Sequence, residues 1–88
     1  MNELNWWGAA LDQLADIYVS AVAELREALV REVDSVNQLL ASNAMFEGES
    51  RGGYGRVKIG ELLVVFYTVV PHEAVQVVQV RPNKPLRK

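Results

Sequence analysis

The 88 residues include no cysteine, which excludes disulfide staples and thiolate metal sites and fits a cytoplasmic protein. There is one histidine, His72, in a turn-like Pro71-His72-Glu73 segment. Zinc sites draw on several His, Cys or carboxylate ligands at set spacings, so no metal site is expected. A lone histidine also leaves no Ser-His-Asp logic, and no G-x-S-x-G segment is present. Walker and dinucleotide fingerprints are missing. The glycine-rich stretch GESRGGYG (Gly48–Gly55) leads into a strand pattern rather than a helix N-terminus that would hold phosphate. No cofactor is therefore expected. The longest apolar stretch, Leu62–Val70, has nine residues, against the ~20 that a membrane helix needs. Met1–Gly8 carries Glu3 and no Lys or Arg, so it lacks the basic region of a signal peptide. No membrane contact is expected.

What is present is the composition of one small globular domain: half the residues are apolar and 23% are charged. The net charge of −2 hides an asymmetry, because residues 1–50 carry −7 and residues 51–88 carry +5. An acidic half joined to a basic half implies either two surfaces for different partners or mutual neutralisation within the fold.

The patterning divides the chain the same way. Asn2–Trp7 reads as a short edge strand. Leu11, Leu14, Ile17, Tyr18 and Ala21 recur on one helical face, and Val22, Leu25, Leu29, Val33, Val36 and Leu40 form a second, more regular stripe. Two helices meeting near Val19–Ala21, with Ser20 as cap, predict an antiparallel helical hairpin. Ser42–Gly53 reads as loop. Tyr54, Arg56 and Lys58 alternate with Gly55, Val57 and Ile59, which predicts a strand. Gly60-Glu61 marks a hairpin turn. Leu62–Val70 is apolar on both faces, as a central strand is. Ala74–Arg81 is a further strand in which the Val77-Val78 pair breaks the alternation, requiring either cover on both sides or a bulge. The fold class is α+β, a helical hairpin packed on an antiparallel three- to four-stranded sheet. Residues 1–81 form a single domain, and 82–88 form a basic tail expected to be mobile. Trp6 and Trp7, adjacent on a strand, point to opposite faces, so one is core and the other exposed.

The cations Arg51, Arg56, Lys58, Arg81, Lys84, Arg87 and Lys88 carry the most informative chemistry. Alternation places Arg56, Lys58 and Tyr54 on one sheet face. Cations beside an aromatic can hold phosphate oxygens and stack a base, and a cation can stabilise charge developing on phosphorus. A solvated strand face is the commoner reason for such residues.

Two segments together resemble the RelE/ParE-like toxins of bacterial toxin–antitoxin pairs. One is NWWGAALDQLADIYV, a short strand ending in an aromatic and running into a helix with a leucine–acid pattern. The other is GESRGGYGRVKIGELLVVFYTVV…EAVQVVQV, a basic strand, a glycine turn and two valine-rich strands. The resemblance runs from about Asn5 to Arg81. It implies a compact toxin fold, a cognate antitoxin, and either metal-independent cleavage of messenger RNA in the ribosome or inhibition of DNA gyrase. By position it assigns catalytic roles to Arg56, Lys58 and Arg81, and RNA or partner binding to Tyr54, Arg51, Lys84 and Arg87. Leu63 stands where the family usually has arginine, and no tyrosine follows Arg81, so cleavage is expected to be weak or lost. The alternatives are a catalytically inactive toxin-derived interaction module and an unrelated α+β dimerisation domain; the oligomeric state stays open.

Overall fold

The computed structural model describes residues 3–43, 48–50, 52–53, 55–70 and 74–86. In chain order the elements are β1 (Glu3–Trp6), α1 (Gly8–Ser20), α2 (Ala23–Asn43), β2 (Glu49–Ser50), β3 (Gly55–Ile59), β4 (Leu63–Val70) and β5 (Ala74–Pro82). The strands make one five-stranded sheet in the order β1-β5-β4-β3-β2. β3, β4 and β5 are an antiparallel meander, as the alternation and turn signals predict, and the helices pack on this sheet. The sheet is mixed rather than purely antiparallel, because β1 runs parallel to β5 from Glu3↔Ala74 to Trp6↔Val77. A strand followed directly by two helices returns to the sheet by a long crossover, which permits the parallel pairing.

The break at Val77-Val78 is a bulge. Phe66 pairs with Gln79 but Tyr67 pairs with Val77, so β5 holds one extra residue there. The extra residue resets the parity of β5. Val75, Val77 and Val80 all turn to the helices and are at most 2% exposed, packing with Val65, Tyr67 and Val69 of β4. From α2 come Leu29, Val36 and Leu40, and from α1 comes Ala10. Each such aliphatic side chain, fully buried, contributes about 1.5–3 kcal/mol. Beyond Val77, where β1 has no further residue to pair, the Val80 amide donates to Gln13 Oε1 of α1 at 2.8 Å. That bond supplies a partner where the β1 ladder stops.

Polar contacts fix the helices. Trp6 is half-buried and its Nε1 donates to Asn37 Oδ1 of α2 at 2.8 Å, while Trp7 is half-exposed. The hairpin turn lies at Ala21-Val22, and Ser20 is the last residue of α1 rather than a cap. Arg26 closes α1 instead: its Nε and Nη2 donate to the carbonyls of Tyr18 and Val19 at 3.1 and 3.0 Å. These are orphan carbonyls at a negative helix end, where a cation is favoured. α2 runs further than its polar last turn suggests, because the Ser42 hydroxyl bonds back to the Gln38 carbonyl at 2.8 Å within the helix. The short strand β2 lies inside the segment that reads as loop.

The β3–β4 turn is held from two sides. Glu32 of α2 accepts from the Leu62 amide at 3.1 Å and the Leu63 amide at 2.7 Å. On the other side Asn83 donates its backbone N–H to the Leu62 carbonyl and its Nδ2 to the Gly60 carbonyl, both at 2.8 Å. The absence of a side chain at Gly60 permits this approach, since a Cβ would stand 2.7 Å from Glu32 Oε2.

The C-terminal segment departs from the sequence expectation of a mobile tail. Leu86 is 5% exposed and belongs to the core, and its carbonyl accepts from the Val22 amide at 3.0 Å. Pro82 and Pro85 do not free this segment; they shape a non-repetitive run whose one apolar side chain reaches the core. Leu86→Ala is expected to lower the unfolding free energy by about 2–3 kcal/mol with an unchanged urea m-value. A loss below about 0.5 kcal/mol, the usual size of a surface substitution, would show the segment undocked in solution.

Candidate functional site

Register decides where the basic residues go, because directly opposed residues on paired strands share a face. Arg56 lies opposite Tyr67 and Lys58 opposite Val65. Tyr67 and Val65 are core residues, so Arg56 and Lys58 are on the helix-bearing face, half-buried near the β2 edge. Arg56 is engaged there: its Nη2 donates to the Gly48 carbonyl at 3.0 Å. Gly48 has φ +76, and a Cβ on it would run into the Val57 carbonyl. Glycine therefore lets this stretch close over β3 and meet the guanidinium.

Arg81 lies elsewhere. It pairs with Val64, whose neighbours on the outer face are Ile59 across β3 and Phe66 along β4. Its guanidinium sits 5.1 Å above the Phe66 ring, on the side of the sheet without helices. The bulge sends it there: without the extra residue, Arg81 would share the parity of Val75 and Val77 and turn to the helices. The three residues to which the resemblance assigns catalytic roles are thus divided, with Arg56 and Lys58 on one face and Arg81 on the other. Leu63, at the position where arginine is usual, is 1% exposed in the core. Lys84 is exposed in the C-terminal segment, lining a cavity of about 400 Å³ with Arg31, Glu32 and Glu61. Tyr54, Arg51 and Arg87 lie outside the described residues, as does His72. Among the described residues no group of three His, Asp or Glu side chains is placed to hold a metal ion.

A second surface has no counterpart in the sequence reading. Leu11 and Tyr18, assigned there to the buried stripe of α1, are 50% and 41% exposed. The helix is rotated so that Ala10 is buried, and Leu14 and Ile17 are half-buried. Leu11, Tyr18 and Val19 of α1 instead line an apolar groove of about 360 Å³ with Val30, Val33 and Asp34 of α2. Trp7, half-exposed, precedes Leu11 by one helical turn. The signal was in the sequence: Trp7, Leu11, Tyr18 and Val19 are spaced as a second apolar stripe, beyond what one buried face requires. Exposed apolar side chains gathered in one groove make it a candidate interaction surface.

The chain matches a solved structure described as "Chromosomal ParDE TA system from P. aeruginosa", with 24% identity over 96% of this chain and 98% of that one, at a TM-score of 0.68. The two chains share one fold, helices packed on a five-stranded mixed sheet here. No protein-family model matches the chain, and no curated protein does.

The division of cations predicts a pattern of energetic coupling. In a double-mutant cycle on urea unfolding, Arg81→Ala and Phe66→Leu are expected to couple by about 0.5–1 kcal/mol, the value of an exposed cation–ring pair. Arg81→Ala and Lys58→Ala are expected to be additive to within about 0.5 kcal/mol. Coupling of Arg81 to Lys58 instead of Phe66 would place them on one surface and contradict the register.

Proposed function

We propose that this chain is the toxin partner of a type II toxin–antitoxin pair, acting by binding a protein target rather than by cutting RNA. The observation that supports this reading is the fold shared over 96% of this chain with a structure described as a ParDE toxin–antitoxin system, joined to an apolar groove on the helical hairpin that the fold itself does not fill. Cleavage of a phosphodiester without a metal needs several donors around one phosphate and a group to move a proton. Here Arg81 is across the sheet from Arg56 and Lys58, Leu63 occupies the arginine position, and Arg56 already holds the Gly48 carbonyl. Losing one well-placed donor costs about 10²–10³ in rate. Binding has no such requirement, so an inhibitor of DNA gyrase or a similar protein target fits the residues better than a ribosome-dependent nuclease.

The antitoxin docks, on this reading, in the groove between α1 and α2 rather than on the basic sheet face, because the groove is where apolar area lies exposed. A helix laid in a groove buries aliphatic side chains at helical spacing without altering the host. The test is inducible expression in bacteria with and without the neighbouring small open reading frame. Growth arrest by the chain alone, relief on co-expression and copurification of the two products are expected. A chain that is harmless alone and captures no neighbour's product would overturn the toxin reading.

A further inference from the structure

The groove between the helices is apolar at its floor and carries a carboxylate at its rim. Asp34 lines it, and Asp12 is exposed next to the lining residue Leu11, whereas Asp16 lines a separate cavity with the C-terminal segment. Leu11 and Val33 are equally far along the chain from Val22, so an antiparallel hairpin sets Asp12 and Asp34, ten and twelve residues from it, within about one helical turn of each other along its axis. None of Asp12, Asp16 and Asp34 has a cation within ion-pair distance among the described residues. The nearby cations are committed. Arg26 is bonded to the last carbonyls of α1 and stacked 5.5 Å from the Tyr18 ring, and Arg31 is paired with Glu27 at 3.3 Å.

We infer that the groove selects a cationic amphipathic helix, one whose Lys or Arg residues border its aliphatic stripe and lie over Asp12 and Asp34. This rests on the groove as the docking site of the proposed function and adds the charge of the segment it takes. A neutral or acidic helix could fill the same floor but would leave the two carboxylates unpaired or opposed, and like charges at an interface suppress wrong partners. A second copy of this chain is disfavoured by the same rule, because residues 1–50, which include both helices, carry −7.

The experiment uses the full chain and two synthetic helical peptides with the same leucine spacing, one flanked by lysines and one by glutamates, with dissociation constants read by fluorescence anisotropy. The lysine peptide is expected to bind at least about fivefold more tightly, the return of two partly exposed ion pairs. That preference should shrink to near unity in 0.5 M salt, where the Debye length falls to a few ångströms. The Asp12→Asn/Asp34→Asn double variant, altered only at exposed positions, is expected to lose the preference while still binding. Leu11→Gln is expected to weaken both peptides alike. Equal binding of the two peptides, a preference that survives the double substitution, failure of the lysine peptide to bind, or self-association of the chain abolished by Leu11→Gln would each overturn the inference. The two readings separate cleanly. A neighbour-encoded antitoxin that neutralises the chain with an affinity indifferent to Asp12→Asn/Asp34→Asn refutes the charge rule and leaves the toxin reading standing. Lysine-peptide selectivity in a harmless chain does the reverse.

Discussion

The β4–β5 ladder with its single bulge is the constraint on which the other placements depend. β5 is paired on both sides, to β1 in parallel and to β4 antiparallel, and it also receives the Gln13 side chain of α1. Period-two alternation alone would carry Val75 and Val77 inward but Val80 outward. One extra residue opposite the Phe66/Tyr67 step restores Val80 to the core and turns Arg81 to the bare face. Core formation and the scattering of the cations are thus one event. A sheet that kept Arg81 beside Lys58 would expose Val80, giving up about 1.5–3 kcal/mol of burial, and would bring a guanidinium toward the helices.

Around that ladder, several described polar groups hold elements together. Glu32 binds the β3–β4 turn to α2, Asn83 binds it to the C-terminal segment, Arg26 closes α1, and Arg56 holds the Gly48 carbonyl. Among the described residues, Arg56 and Arg81 point to opposite faces of the sheet and do not converge on one point. Apolar side chains are the opposite case. More of them lie on α1 than its inner face can bury, and the surplus gathers with α2 into a groove. The proposed recognition surface on the hairpin rests on this surplus.

Much of this was legible in the sequence, and the reasons are local. Tyr54–Ile59 and Leu62–Val70 carry strand periodicity strong enough to give the antiparallel meander, and the α2 stripe at Leu29, Val36 and Leu40 is buried as its spacing requires. The Val77-Val78 irregularity was visible, but alternation does not say whether it marks double cover or a bulge, so the face of Arg81 stayed hidden. α1 has two apolar stripes, and periodicity does not choose between them; contact with β5 does, burying Ala10 and leaving Leu11 and Tyr18 outside. The segment after β5 reads as a polar tail because Leu86 is its single apolar residue, and one residue leaves no period. The parallel place of β1 follows from the path of the chain across the sheet, which no pattern within Glu3–Trp6 records.

The central claim, that the cations are distributed for holding and binding rather than for cleavage, is tested most directly by primer extension on a message undergoing translation in the presence of the purified chain. The account predicts the same pattern of stops with the wild-type chain, with Arg56→Ala and with no added protein. Strong new stops within codons that appear with wild type and vanish with Arg56→Ala would contradict it, since they would require Arg56 to act in a site that the two faces of the sheet keep apart.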